Sequence, residues 1–573
     1  MKRFIRPRRL KDEVVFTEEE LPVFEYTPDG ERIKKEKQVS DLAKIPSNLD
    51  EVVETFKGIF GDGSKDFVMR RIRLSLKGGI DAMVMNIDGL TDKDGLMLAF
   101  LSITEFAEDD DVDEDLFSDI KLAEYVAHKI LPSTSTKVSN EISDVISSVV
   151  TGEAALFIQG CSRCVLFEVR EAEHRSISEP ETEKVIRGPH EGFTEIIRAN
   201  TSLVRRRIRS PRLRLDSIQI GRLSKTDVIV AYIDGLTNPV FVEEMKKRIS
   251  AIDIDVVESS GVIEEFIEDF PKSPFSQVQI TERPDKFAAS LSEGFVGVMM
   301  DGSPITLLAP VNFSAFFQSP DDYYEKSMFG GALRVIRYIA AFISLAAPAI
   351  YVAITTFHRE MLPTRLALLV AGSRAPVPFP AYVEALIMEL AIEFIREAGV
   401  RLPSPVGQTA GFVGALILGE SAVSAGIVNP IMVIVVAMTT LASFVMPHYT
   451  TGLAIRLLRF PLLLLSAGLG LYGVMVGLIL IGIHLSAISS LGVPYLETFM
   501  IPEELFKDVI WRKAMFKLNK RPIYLKTLDD IRQKKYIRTW DPETRKYMNK
   551  KAVEKTKEDE KKEANYVENT SKE

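Results

Sequence analysis

The sequence predicts an α/β cytoplasmic region of two related subdomains, then an all-α multi-span membrane domain, then a basic C-terminal tail. Three observations lead there. The chain has 573 residues, 26% charged and 46% hydrophobic, with a mean hydropathy of +0.07. That is too apolar for so much charge unless the two are segregated. Between Lys326 and Lys507 there is no lysine and between Asp322 and Asp508 no aspartate, although both are common on either side. Finally, the soluble part repeats itself: MVMNIDGLTD ending at Asp92 matches IVAYIDGLTN ending at Asn238, and GEAALFIQGCSRCVLFE from Gly152 resembles the stretch from Gly294, with Gly160 facing Gly302. Two matches at similar offsets indicate a tandem duplication.

The elements follow in chain order. Residues 1–60 form a basic extension whose opening, MKRFIRPRRLKDE, has no apolar segment behind it and so is no secretory signal; its composition fits disorder. Residues 61–177 and 214–325 are the two subdomains. Each has an alternating strand that leaves through Asp-Gly-Leu-Thr into a helix, followed by a hairpin with a glycine turn. Asp88 and Asp234 read as turn residues, Thr91 as a helix cap, and PVFVEEMKKRI from Pro239 as a helix start. The connector, 178–213, is dense in charge but interrupted by Gly188, Pro189 and Gly192, which suits a structured crossover. Its run Arg205, Arg206, Arg207, Arg209 reads as an ion-paired connector or a contact for anionic lipid.

In the membrane domain, 326–500, a span needs about 20 apolar residues. Residues 338–357, 421–447 and 460–483 qualify, and 402–419 is a fourth span whose helix starts near Val406. Residues 381–398 form an additional amphipathic helix. An even number of spans puts both ends on one side, and residues 503–550, with 14 Lys+Arg against 7 Asp+Glu, favour the cytoplasm. Arg456 and Arg459, which four spans place outside, argue against it. Residues 501–573 are the charged tail.

The polar residues of the membrane part carry the functional expectation. Glu389, Glu393 and Glu397 recur every four residues and form one stripe, with Glu384 at its edge. Repeated copies of such a stripe make an acidic ring that attracts cations; the alternative is an interfacial helix with its acids in water or paired to Arg396 and Arg401. Glu420, Gln408 and Thr409 require a cavity or internal partners if 405–424 is a broken or re-entrant helix. These seven residues are the candidate pore or gating set. Gly407, Gly411, Ala415 and Gly419, and again Gly473 and Gly477, recur at four-residue steps and permit close helix packing, within the chain or in self-association.

Other chemistries find little footing. Cys161 and Cys164 form the only C-x-x-C, with no second pair for a zinc site and no disulfide framework. There is no Walker loop, no G-x-S-x-G and no H-E-x-x-H among six scattered histidines, so neither a catalytic residue nor a metal or other cofactor is expected. A net charge of −9 speaks against nucleic acid as a partner.

The strings PETEKVIRGPHEGFTE (180–195), TERPDK (281–286), QSPDDYYEK (318–326), VPFPAYVEALIMELAIEFIREAGVRLPSPVGQTAGFVG (377–414) and ASFVMPHY (442–449) resemble the A subunits of bacterial spore nutrient germinant receptors. The resemblance covers about residues 65–500. Within the first string it singles out Glu181, Glu183, Arg187, Gly188, Pro189 and Glu195. It implies an endospore inner-membrane protein, partnered by a multi-spanning B subunit that senses nutrient and a lipoprotein C subunit, and oligomerising into a nutrient-gated channel for monovalent cations. The A-type protein encoded with the spore dipicolinate-channel genes has a similar pattern, and a non-conducting scaffold for partner transporters is the other alternative.

Overall fold

The computed structural model describes residues 44–61, 64–74, 79–105, 119–133, 135–169, 179–401, 414, 419–501 and 505–533. The first subdomain is a five-stranded antiparallel sheet in the order β1-β2-β4-β5-β3, formed by β1 (Phe67–Leu74), β2 (Ile80–Ile87), β3 (Thr136–Ser139), β4 (Ala154–Ile158) and β5 (Cys164–Phe167). Helices α1 (Leu49–Phe60) and α4 (Ile142–Val150) cover one face, while α2 (Lys93–Glu105) and α3 (Asp119–Tyr125) cover the other. Burial on both faces explains why β4 and β5 read as continuous apolar runs, without alternation.

The second subdomain repeats this plan. Its sheet, β6-β7-β9-β10-β8, consists of β6 (Leu213–Ile220), β7 (Thr226–Ile233), β8 (Gln279–Thr281), β9 (Val296–Met300) and β10 (Thr306–Ala309). The register repeats as well: Phe67 faces Ile87 as Leu213 faces Ile233. Both Asp-Gly-Leu-Thr turns put glycine at positive φ, Gly89 at 90° and Gly235 at 67°, as do both hairpin turns, at Gly160 and Gly302. The cap of α2 is Asp92, whose carboxylate accepts from the Asp94 and Gly95 amides, not Thr91, whose hydroxyl donates to the Ile87 carbonyl. Its counterpart Asn238 caps α6 (Pro239–Ser250).

Three boundaries differ from expectation. The folded region begins well before residue 61, because Leu49, Val52, Phe56 and Phe60 lie on one face of α1 and enter the first core. The connector contains α5 (Ile197–Arg207), and its Arg205 is an internal strut: 1% exposed, it reaches Asp66 of the first subdomain at 2.6 and 3.2 Å, together with Ser64. The described part of the tail, residues 505–533, is folded. Tyr524 and Leu525 join the core of the second subdomain beside α7 (Ser260–Ile267) and α8 (Pro284–Glu293), and the Leu528 amide donates to the Leu236 carbonyl.

Between α9 (Asp321–Tyr324) and residue 488 the described residues form helices and their connections. They include α10 (Ser327–Thr356), α11 (Thr364–Arg374), α12 (Ala381–Arg401), α13 (Pro430–Phe444) and α14 (Tyr449–Ala487). Among them, α10 and α14 are long and apolar enough to cross a membrane. The expected span 338–357 falls in α10, 421–447 shortens to α13, and 460–483 is corrected, because α14 folds back at Gly470 (φ 62°, ψ −141°). Gly477 lies against Leu462, and Ala454 clusters with Leu485. A straight helix would set Leu462 and Gly477 about 22 Å apart. The turn rests on Phe357 and His358 at the end of α10, while His448 and the segment after Ala487 both return to the second subdomain. The expected span 402–419 lies almost wholly outside the described residues.

Candidate functional site

Four of the five segments that carry the family resemblance, all but 377–414, are far apart in sequence and meet at one junction, where the second subdomain supports the helices. Glu183 is central to it. Its carboxylate accepts from Lys286 at 2.6 Å, from the Glu282 amide at 3.3 Å and from the Thr281 hydroxyl. Burial alone would raise this carboxyl, but the Lys286 ammonium and its hydrogen bonds hold it below the usual range. Arg283, fully buried, donates to the Glu183 and Pro189 carbonyls at 3.1 and 2.8 Å and pairs with Asp285 at 2.9 Å. Asp285 also accepts from Tyr324, whose ring lies so close to Gly188 (φ 134°) that a Cβ there would stand 2.7 Å from it. Glycine is needed at this position for both space and conformation. His448 completes the junction between Gln279 and the Phe316 ring. Burial pushes its imidazole down to about 3, which leaves it neutral.

A second cluster holds the root of α10. Asp322, wholly buried, accepts from Arg337 at 2.7 Å and Arg334 at 3.3 Å. Arg334 also reaches Asp508 of the C-terminal segment at 2.9 Å, and Tyr323 donates to the same carboxylate at 2.8 Å. Arg512 donates to the Glu325 carbonyl at 3.0 Å. Connection, helix and C-terminal segment are thereby held by one network, in which losing any single charge strands its partners.

The third group is the glutamate stripe of α12. Glu389, 1% exposed, pairs with Arg459, which also donates to the Ser344 carbonyl and hydroxyl of α10 at 2.8 and 3.0 Å. Glu393 takes Arg456 at 3.1 Å and Arg396 at 3.2 Å, and Glu397 takes Arg401 at 2.6 Å. Glu384 accepts from the Asn429 amide at 2.9 Å and lies 3.5 Å from Arg374. The stripe is therefore a ladder of ion pairs that joins α12 to α11 and α14 within one chain, with Ser344 of α10 bonded to Arg459, not a row of free acids. Arg456 and Arg459, which counted against the expected topology, are its other half and not loop charges. Glu420 is exposed at the start of the helical stretch 419–424. Gln408, Thr409, Gly407, Gly411 and Ala415 lie outside the described residues. Gly419 comes near Val433, while Gly473 and Gly477 pack against the opposite leg of α14.

Of the remaining motif residues, the Glu181 amide donates to the Glu282 carboxylate at 2.8 Å, Arg187 is exposed, and exposed Glu195 accepts from the Gly302 amide through its carbonyl. Cys161 and Cys164 are buried, and burial lifts the Cys164 thiol to about 12. Among the described residues no group of three or more His, Cys, Asp or Glu is placed to hold a metal ion. Sequence reasoning missed Arg283, Lys286, Asp322, Arg334 and Arg459. The strings TERPDK and QSPDDYYEK held the signal for the first three, since acids and bases alternate there beside prolines; Arg459 had none short of knowing that α14 folds back.

Together these features define a soluble, duplicated sheet domain clamped onto a bundle of apolar helices that contains ion pairs. The chain belongs to the Bacillus/Clostridium GerA spore germination protein family, whose model matches residues 54–524. Similar proteins include the membrane protein YfkQ of Bacillus subtilis (strain 168), 40% identical over 85% of this chain and 93% of that one. Spore germination protein KA of the same organism is 38% identical over 88% and 91%, and spore germination protein GerLA of Bacillus cereus is 37% identical over 85% and 98%. The crystal structure of the N-terminal domain of the A subunit of the Bacillus megaterium spore germinant receptor GerK3 superposes with a TM-score of 0.37 at 28% identity, covering 47% of this chain and 98% of that one.

Proposed function

We propose that the chain is the A subunit of a nutrient germinant receptor in the spore inner membrane, and that copies of it assemble a gated path for monovalent cations. It would work with a multi-spanning B subunit and a lipoprotein C subunit, and without catalysis. Both ends of the helical part return to the sheet domain, which supports an even number of crossings with both termini on one side, and the basic composition of residues 503–550 favours the cytoplasm for them. The observation that carries the reading is the Glu389–Arg459–Ser344 cluster. Charges inside apolar helices are costly and are found where ions or protons pass or where states switch. In this reading the ladder is closed in the resting state, and nutrient bound by a partner favours an arrangement that frees its acids. Only a difference in affinity between the two states can produce that shift.

The test is potassium flux in liposomes that hold the chain with its B and C partners. Glu389→Gln and Glu393→Gln should change conductance or cation selectivity while assembly persists. Unaltered flux in both removes the ladder from the path, and assembly with no flux in the unmodified protein turns the reading to a scaffold.

A further inference from the structure

A cavity of about 570 Å³ lies between α8, the loop before α9 and the C-terminal segment, and neither ion-pair cluster fills it. Its size is that of a small-molecule site. Its lining includes four aromatic side chains: Phe295 and Tyr524, which meet edge to face, and Tyr323 and Tyr324, the first with Arg512 over its ring. Such faces stack on a planar ring.

The charges of the lining decide the sign of the ligand. Every carboxylate in it is already bound to an arginine: Asp285 to Arg283 at 2.9 Å, Asp508 to Arg334 at 2.9 Å, and Glu293 to Arg532. Asp508 and Glu293 have little left to offer a cation, and the one Asp285 oxygen without a partner, Oδ1, is buried away from solvent. By contrast Lys517 and Lys520 of the lining are exposed, and among the described residues Lys520 pairs with the exposed Asp530, at 3.6 Å. An exposed pair of that kind exchanges readily with another anion.

We propose that this cavity binds a small aromatic carboxylate, its ring between the aromatic walls and its carboxylate toward Lys517 and Lys520. The occupant would bridge α8 and the C-terminal segment. That segment carries Asp508, the anchor of Arg334 in α10, so occupancy would bear on the root of the helices.

The experiment uses the full chain in nanodiscs of neutral phosphatidylcholine, with benzoate as the probe and benzylamine as the control, read by saturation-transfer NMR. Benzoate should bind with half-saturation at about 1 mM, as expected for so few atoms. The pair Lys517→Glu, Lys520→Glu should weaken it about tenfold, and Ala289→Trp, at an exposed lining position on α8, should abolish it. Ile523→Trp, elsewhere in the lining, serves if Ala289→Trp does not fold. Benzylamine binding as well as benzoate, benzoate binding unchanged in the filled cavity, or no benzoate binding by the folded protein at about 20 mM would each overturn the proposal.

Discussion

Replacing Arg459 by methionine should be the most damaging single change in the helices, and the structure shows why. The guanidinium is 2% exposed and serves three acceptors: the Glu389 carboxylate, the Ser344 carbonyl and the Ser344 hydroxyl. Its loss leaves Glu389, 1% exposed, without its counter-charge, and stranding a buried ion costs about 3–5 kcal/mol. Glu389→Gln strands Arg459 instead, but Arg459 keeps both bonds to Ser344, so that cost should fall at about 2–3 kcal/mol. The double variant Glu389→Gln, Arg459→Met leaves no charge behind and should recover most of the larger loss. In a double-mutant cycle the coupling should therefore exceed the about 2–3 kcal/mol lost in Glu389→Gln alone. The assay is thermal unfolding of the full chain in detergent micelles, followed by far-UV circular dichroism. Additive losses, with the double variant worse than either single one, would refute the pairing and the argument built on it.

Three further outcomes follow from the geometry. Gly470→Ala puts a Cβ at φ 62°, ψ −141°, where L residues do not settle, and against His358; the returning leg of α14 should lose its packing, read as new protease cleavage between residues 462 and 477. Asp66→Asn should cost about 3 kcal/mol in unfolding and loosen the two subdomains together, because Arg205 at 1% exposure has no other carboxylate within reach among its hydrogen-bond partners. Burial and the neighbouring Glu264, Asp269 and Glu265 lift Glu268 to about 7, well above an unfolded glutamate. Folding is thus favoured by protonation, so stability should fall as pH rises from about 5 through 7, by about 2 kcal/mol once partial exposure is discounted. Glu268→Gln should flatten that slope in a series of melts, and an unchanged slope would place its origin elsewhere.

Much of the soluble fold was legible because duplication states the same pattern twice. A strand running into Asp-Gly-Leu-Thr and a hairpin turning at Gly160 or Gly302 are local signals, set by positive φ and apolar runs. What stayed hidden was long-range. Leu49, Val52 and Phe56 look like part of a basic extension until a sheet is present to receive them. Glu389 and Arg459 are 70 residues apart, and no period in α12 announces a partner in α14. The turn at Gly470 was illegible for another reason: LSAGLGLYGVMVG is apolar throughout, and hydropathy records how much lipid-like surface a segment has, not whether it reverses. The acidic stripe was correctly placed on one helix face, but its neutralisation depends on that reversal.

The return of Tyr524 and Leu525 to the second core makes the helices an insertion in the soluble domain, not an appendix to it. The chain leaves that domain at Asp322 and re-enters it at Ser490, whose hydroxyl donates to the Gln277 carbonyl, so the helical part is a closed loop whose two ends share one foundation. A fragment ending near residue 325 would leave the surface covered by Tyr524 and Leu525 open to water, at about 2 kcal/mol for each. For the intact protein, the segments beside the start of α10 and the end of α14 meet through Phe313, Phe316 and Tyr495, so moving one foot against the other must strain that contact. The sheet domain in that sense spans the two feet of the bundle and couples them mechanically.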